Sequence, residues 1–270
     1  MRKALLIGFQ YENGKKLPGI TTDLYQVYCF LKKHGWQDHQ IKVMTDIVKD
    51  ETTDILKTSI LEKIVNSDIL TFIEDCQERG QYILFKSHHH YNNFSTLFEN
   101  KESNYFIYYT GHSKDGNIIL PDQALISLDR FREYINVGRT ICVMDCCGGG
   151  LELPFILNEG IYRFRDESPH QDRDNDFVQN EIICISSSSE NEKSLTSQAG
   201  SFFTRYLFSI LDEPTLSISS ILKKIRKSLI DIKQTANILA SFPTLRYLPG
   251  FLYSFSPLTI EIRPNHIIIS

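Results

Sequence analysis

Four short apolar runs constrain this chain more than any other feature: KALLIGF (3–9), YFIYYT (105–110), TICVMD (140–145) and EIICIS (181–186). They are too short for buried helices and lack the apolar–polar alternation of a strand with one wet face. They read as strands buried on both sides, the mark of a parallel sheet covered by helices. Gln40–Met44, GQYILFKS (80–87) and Asn117–Leu120 add further strands, the last closed by Pro121–Asp122. Between them, Leu24, Val27, Tyr28 and Leu31 recur at helical spacing, and Gly35 fits the stop. Helical spacing also covers 54–79, with a break near Asn66–Ser67, and then 91–99, Ala199–Leu211 and 217–236. Ser127 is placed to cap a helix running to about Asn136. The predicted class is α/β: a three-layer fold with a mainly parallel central sheet flanked by helices.

One stretch breaks the pattern. RDESPHQDRDND (165–176) is polar and nearly free of apolar residues, so it reads as an exposed loop. It separates a larger part, 1–164, from a smaller part, 181–270, with 165–180 as an acidic linker. Neither part alone would cover both faces of a sheet, so 1–270 is expected to be a single domain. Lys223, Lys224, Arg226 and Lys227 read as a solvated helix face.

Composition excludes some functions. A net charge of −4 argues against a nucleic-acid binder, which needs clustered Lys and Arg. No apolar run approaches the roughly 20 residues that span a bilayer, and no signal peptide precedes the first strand. The six cysteines form no CxxC or zinc-knuckle spacing. The expectation is a reduced cytoplasmic protein without disulfides, metal or membrane partner.

In parallel α/β sheets, ligands bind beyond the carboxyl ends of the strands. Gly111 and His112 follow YFIYYT, and Cys146 and Cys147 follow TICVMD. A thiol nucleophile beside an imidazole that takes and returns its proton is a Cys–His dyad. Gly148, Gly149 and Gly150 come next, and glycines there allow close backbone approach. Taken singly, each of these has an ordinary structural explanation. His88, His89 and His90 are adjacent in sequence, so they point different ways and read as a polar loop rather than a ligand set.

Together these motifs resemble the caspase-like cysteine peptidases (family C14), and most closely the metacaspases. YFIYYTGHS resembles that family's strand ending in histidine, and TICVMDCCGGG its strand ending in DxC. ALLIGF followed by LPGITTD (17–23), Met44-Thr45-Asp46, Leu120-Pro121-Asp122 and the block ISSSSENEKSLTSQAGSFFT match further motifs in the same order. The resemblance implies a caspase-like fold and an endopeptidase in which His112 and Cys147 are catalytic. Cys146 takes the variable middle position. The backbone N–H groups of Ser113 and Cys147 would form the oxyanion hole, with Ser113 standing where the family has glycine.

The resemblance also implies substrate binding by Asp23, Thr110 and Asp145. Two carboxylates there favour cleavage after Arg or Lys over cleavage after Asp. A helix N-cap is the other reading of Asp23. The family's calcium loop is shortened here to Ser113–Asn117, and its paired aspartate reads Leu128-Asp129, so no cofactor is expected and calcium dependence is disfavoured. Asp129 and Glu152 read as surface charges. The partners implied are protein or peptide substrates, with a monomer slightly favoured and self-cleavage in 165–180 an open alternative. The rival readings are an inactive caspase-like interaction module and a caspase-type peptidase cutting after Asp.

Overall fold

Each of the four apolar runs is a strand, and successive residues along it face opposite layers. This computed structural model describes residues 1–11, 15–47, 72–85, 103–136, 138–164, 180–213, 215–243, 248–253, 260–263 and 266–269. The central strands are β1 (Arg2–Gly8), β2 (Ile41–Thr45), β3 (Tyr82–Leu84), β4 (Asn104–Thr110), β8 (Arg139–Asp145) and β11 (Ile182–Ser186). Among the described residues they join β9 (Phe155–Asn158), β10 (Ile161–Phe164) and β14 (Asn237–Ala240) in one sheet of order β10-β9-β14-β11-β8-β4-β1-β2-β3. Pairing is parallel from β3 to β11 and antiparallel through β14, β9 and β10. The mainly parallel three-layer α/β fold expected from the sequence is therefore present.

Period-two alternation builds the two outer layers. Leu6, Phe106, Tyr108, Ile141, Val143, Ile183 and Ile185 face one core. That core is filled from α1 (Ile20–Lys33), α3 (Phe202–Leu211), α4 (Ile218–Leu229) and a helical stretch at 72–78. Leu5, Ile7, Ile107, Tyr109, Cys142, Met144 and Cys184 face the other, against α2 (Leu128–Ile135). Leu24, Val27 and Leu31 of α1 are fully buried, each worth about 1.5–3 kcal/mol. Ser127 caps α2 as expected, accepting from Arg130 N at 3.2 Å.

The structure departs from the sequence reading in three places. Residues 199–201 are not helical: Thr196–Ser197 (β12) and Gly200–Ser201 (β13) form a small hairpin, and α3 starts only at Phe202, capped by Ser201. The helix expected over 217–236 ends at Leu229. Lys233 then takes a left-handed φ of 54°, and the chain turns back as β14. The β9–β10 hairpin was not anticipated. Its turn has positive φ at both central residues, 49° at Glu159 and 86° at Gly160, the twist that suits a two-residue hairpin.

Three short strands, β5 (Ser113–Lys114), β6 (Asn117–Ile119) and β7 (Leu125–Ser127), form a separate antiparallel sheet beyond β4. Near the C-terminus, β15 (Ile260–Arg263) and β16 (His266–Ile269) pair antiparallel. The segment 48–71, the helix expected over 91–99, the histidines at 88–90 and the loop 165–176 lie outside the described residues. Among the described residues, no helix is long and apolar enough to cross a membrane.

Candidate active site

Register places the candidate residues at one edge of the sheet. Gly8 pairs with Thr110, and Thr110 pairs with Asp145, so the ends of β1, β4 and β8 form one row. His112 and Cys147 each lie two residues beyond that row, in the loops that follow two neighbouring strands. The loops are joined directly: Ser113 Oγ donates to the carbonyl of Cys147, and Gly111 N–H points at Asp145 O at 3.4 Å.

The two adjacent cysteines have different environments. Cys146 is 1% exposed and packs in the core with Cys142, Met144 and Cys184. Burial pushes its thiol far above the ordinary range, which removes it as a thiolate. Cys147 is half-buried and lines a cleft of about 790 Å³ together with Ser113, Asn117, Asp129, Gly149 and Glu192.

The loop after Cys147 is held by its backbone. Gly148 N–H donates to Glu192 O at 2.9 Å and Gly149 N–H to Ser188 Oγ at 3.3 Å. The hydroxyls of Ser187 and Ser188 both donate to Cys146 O, at 3.1 and 2.9 Å. No such bond occupies the Cys147 N–H among the described residues. Ile119 N donates to His112 O at 3.0 Å, which makes Ser113 and Ile118 a non-hydrogen-bonded pair. The Ser113 N–H therefore faces away from β6. Ser113 has no left-handed backbone, so serine sits at this position without strain.

His112 is oriented by its far nitrogen. Nε2 lies 2.7 Å from the backbone carbonyl of Lys15, which can only accept. The proton therefore sits on Nε2, and Nδ1 carries the free lone pair.

Asp23 and Asp145 come together behind this edge. Asp23 is the fourth residue of α1, which begins after Gly19, so it is not the N-cap. It is 0% exposed, and Asp145 is 4% exposed. Asp145 accepts from Ser194 Oγ at 2.6 Å and from Thr204 Oγ1 at 2.5 Å. Asp23 Oδ1 accepts from Ser201 N–H at 2.8 Å, while Oδ2 has no hydrogen-bond partner. Burial, and then the charge of Asp145, push the Asp23 carboxyl well above the usual range. Burial raises Asp145 too, against its hydroxyl donors. Thr110 is buried at the end of β4, beside Asp145 in the register row.

Gly200 packs against the Asp23 carboxyl with a φ of 92°. A Cβ there would lie 2.4 Å from Asp23 Oδ1. Sequence reasoning noted this serine-rich block but assigned no role to Ser194, Ser201 or Thr204. It also gave none to Lys15, whose contribution is a backbone carbonyl and leaves no side-chain signal.

The residues that replace the family's calcium loop are engaged elsewhere. Asp129 pairs with Arg132 at 3.3 Å and Asp115 lies 3.7 Å from Lys114. Among the described residues, no three His, Cys, Asp or Glu side chains converge on a point that could hold a metal. These donors do not fit a calcium cage, which needs about six to eight oxygens.

No curated protein matches the chain. The crystal structure of caspase-1 from Spodoptera frugiperda matches 91% of this chain and 89% of its own, with a TM-score of 0.53 at 12% sequence identity. A likeness at that identity establishes the fold alone. The sequence model of the caspase domain (peptidase family C14) matches residues 1–248 and spans the loops of His112 and Cys147 alike. On that match, the chain belongs to the caspase domain family.

Proposed function

We propose that this chain is a cysteine endopeptidase that cuts protein substrates after arginine or lysine, as the metacaspases its motifs resemble do. The observation that carries the specificity is the Asp23–Asp145 pair, with its unpartnered Oδ2. A buried acceptor without a donor costs free energy, and a guanidinium or ammonium group would supply both the donor and the charge. An aspartate side chain would be repelled.

In this reading Nδ1 of His112 takes the proton of Cys147 Sγ. The thiolate attacks the scissile carbonyl, and the N–H groups of Ser113 and Cys147 receive the developing oxyanion. His112 then returns the proton to the leaving amine. A water deprotonated by the same nitrogen hydrolyses the acyl-enzyme. The Lys15 carbonyl keeps the imidazole in the required tautomer through both steps. The linker 165–180, with Arg165 and Arg173, is the proposed site of self-cleavage.

The test is turnover of fluorogenic peptides ending in Arg, Lys or Asp by the wild type and by Cys147→Ala. Cleavage after Arg or Lys that disappears in Cys147→Ala is the expected result. Cleavage after Asp would overturn the acidic pocket while keeping the peptidase. No turnover of any peptide, even after limited proteolysis, would favour a non-catalytic interaction module.

A further inference from the structure

We propose that Tyr11 is a positioning residue for His112, itself locked in place by Asp46; this rests on the reading of His112 as the base of the dyad. His112 follows a strand end and a glycine, a place where a loop would ordinarily be free to move. Besides the Ile119 N–H on its carbonyl, four contacts hold it. Its backbone N–H donates to Tyr11 Oη at 2.7 Å. Its carbonyl accepts from Tyr109 Oη at 2.7 Å. Its ring lies against the Tyr11 ring, with centroids 4.6 Å apart and planes at 44°. Its Nε2 meets Lys15 O. Three of the four come from the segment that leaves β1.

The Tyr11 hydroxyl does more than satisfy itself. A buried tyrosine needs one partner for its hydroxyl. Here the oxygen accepts from His112 N and the proton goes to Ile119 O at 2.7 Å. One atom thus joins both ends of the chain segment that carries His112 and turns through β5 and β6. Gly111 makes the approach possible, since a Cβ there would lie 2.6 Å from Tyr109 Oη and 2.7 Å from Tyr11 Oη.

Tyr11 is also held in an uncommon backbone conformation, with φ at 62° although it is not glycine. Such a conformation persists only where the surroundings over-determine it. Asp46, at the end of β2, does so: Oδ1 accepts from Gln10 N at 2.7 Å and Oδ2 from Tyr11 N at 2.8 Å. The Met44-Thr45-Asp46 motif therefore acts on the imidazole through Tyr11.

The experiment follows alkylation of Cys147 by iodoacetamide from about pH 5 to pH 9, read by mass spectrometry. Cys147→Ala is the blank, and thermal melting is recorded for each variant. In the wild type, His112 should sustain labelling near pH 6 well above that of a free cysteine. In Tyr11→Phe, which keeps the ring, labelling near pH 6 and kcat should both fall about tenfold. KM and the rate near pH 9 should be unchanged, the pattern of a loss felt in the transition state. A purely packing role would lower the melting temperature and leave the pH profile in place. A folded Tyr11→Phe with the wild-type profile and kcat overturns the inference. If Tyr11→Phe does not fold, Asp46→Asn, which weakens the backbone clamp and keeps the Tyr11 hydroxyl, is read in the same way. A wild type whose Cys147 labels no faster than a free cysteine near pH 6 overturns the dyad, and this inference with it.

Discussion

The backbone N–H of Ser201 donates to Asp23 Oδ1 at 2.8 Å across 178 residues of sequence, and the other oxygen of that carboxylate meets no donor. Asp23→Asn keeps the first bond and removes the charge. Cleavage after Arg should fall roughly a hundredfold in kcat/KM, since removing one partner of a buried charge pair costs about 2–5 kcal/mol. Peptide kinetics on the two proteins check this.

The same substitution should stabilise the free protein at neutral pH. Burial raises the folded pKa of Asp23 above its unfolded value, so the folded state binds more protons. The group is then neutral in both states below the unfolded pKa. Its penalty grows as pH rises above that value. Asp23→Asn should melt about 2–6 °C higher than wild type at neutral pH, and the difference should vanish near pH 3. Calorimetry at the two pH values decides it.

Binding of a basic residue needs Asp23 ionised. Because its carboxyl is pushed up by burial and by Asp145, KM for an Arg peptide should still be falling as pH rises beyond the range in which an ordinary carboxylate titrates. Asp23→Asn should lose that slope. The measurement is KM against pH for both proteins.

Cys146 and Cys147 should separate cleanly. Cys147→Ala should abolish turnover. Cys146→Ala removes a core thiol that is 1% exposed, so it should cost about 1 kcal/mol of stability and leave kcat within about threefold. A Cys146→Ala variant as inactive as Cys147→Ala would reverse the assignment of the nucleophile.

Gly200→Ala tests the close approach to Asp23. The added methyl would sit 2.4 Å from Asp23 Oδ1 on a backbone with φ at 92°. Cleavage after Arg should fall at least about tenfold, while alkylation of Cys147 stays at the wild-type rate. Equal losses in both readings would mean that the damage is not confined to the pocket.

The central strands were legible because they are buried on both faces, and such strands announce themselves as unbroken apolar runs. KALLIGF and TICVMD need no context to be read. Phe155–Asn158 and Ile161–Phe164 were missed because an edge hairpin is only partly buried; Ile161 is 64% exposed and Phe164 55%. β14 carries no assignment in the sequence, and the helix before it reads on to residue 236 because Ile230 and Ile232 prolong the apolar spacing past Leu229. The candidate site was legible at its side chains, His112, Cys147, Asp23 and Asp145, through motif order. The Lys15 carbonyl, the Ser201 N–H and the Tyr11 hydroxyl were not, since main-chain groups carry no residue type and a buried tyrosine looks like any core aromatic.

The order β9-β14-β11-β8 has a consequence for the life of the chain. β8 and β9 precede the 165–180 linker, whereas β11 and β14 follow it and lie between them. A cut in that linker would leave the second fragment hydrogen-bonded on both flanks by the first, so the nicked molecule should stay whole on a sizing column. During synthesis, the hairpin of β9 and β10 has no sheet to join until β14 leaves the ribosome. The cluster around the acid pair, which draws Asp23 from the first helix and Thr204 from a late one, is therefore among the last things to form.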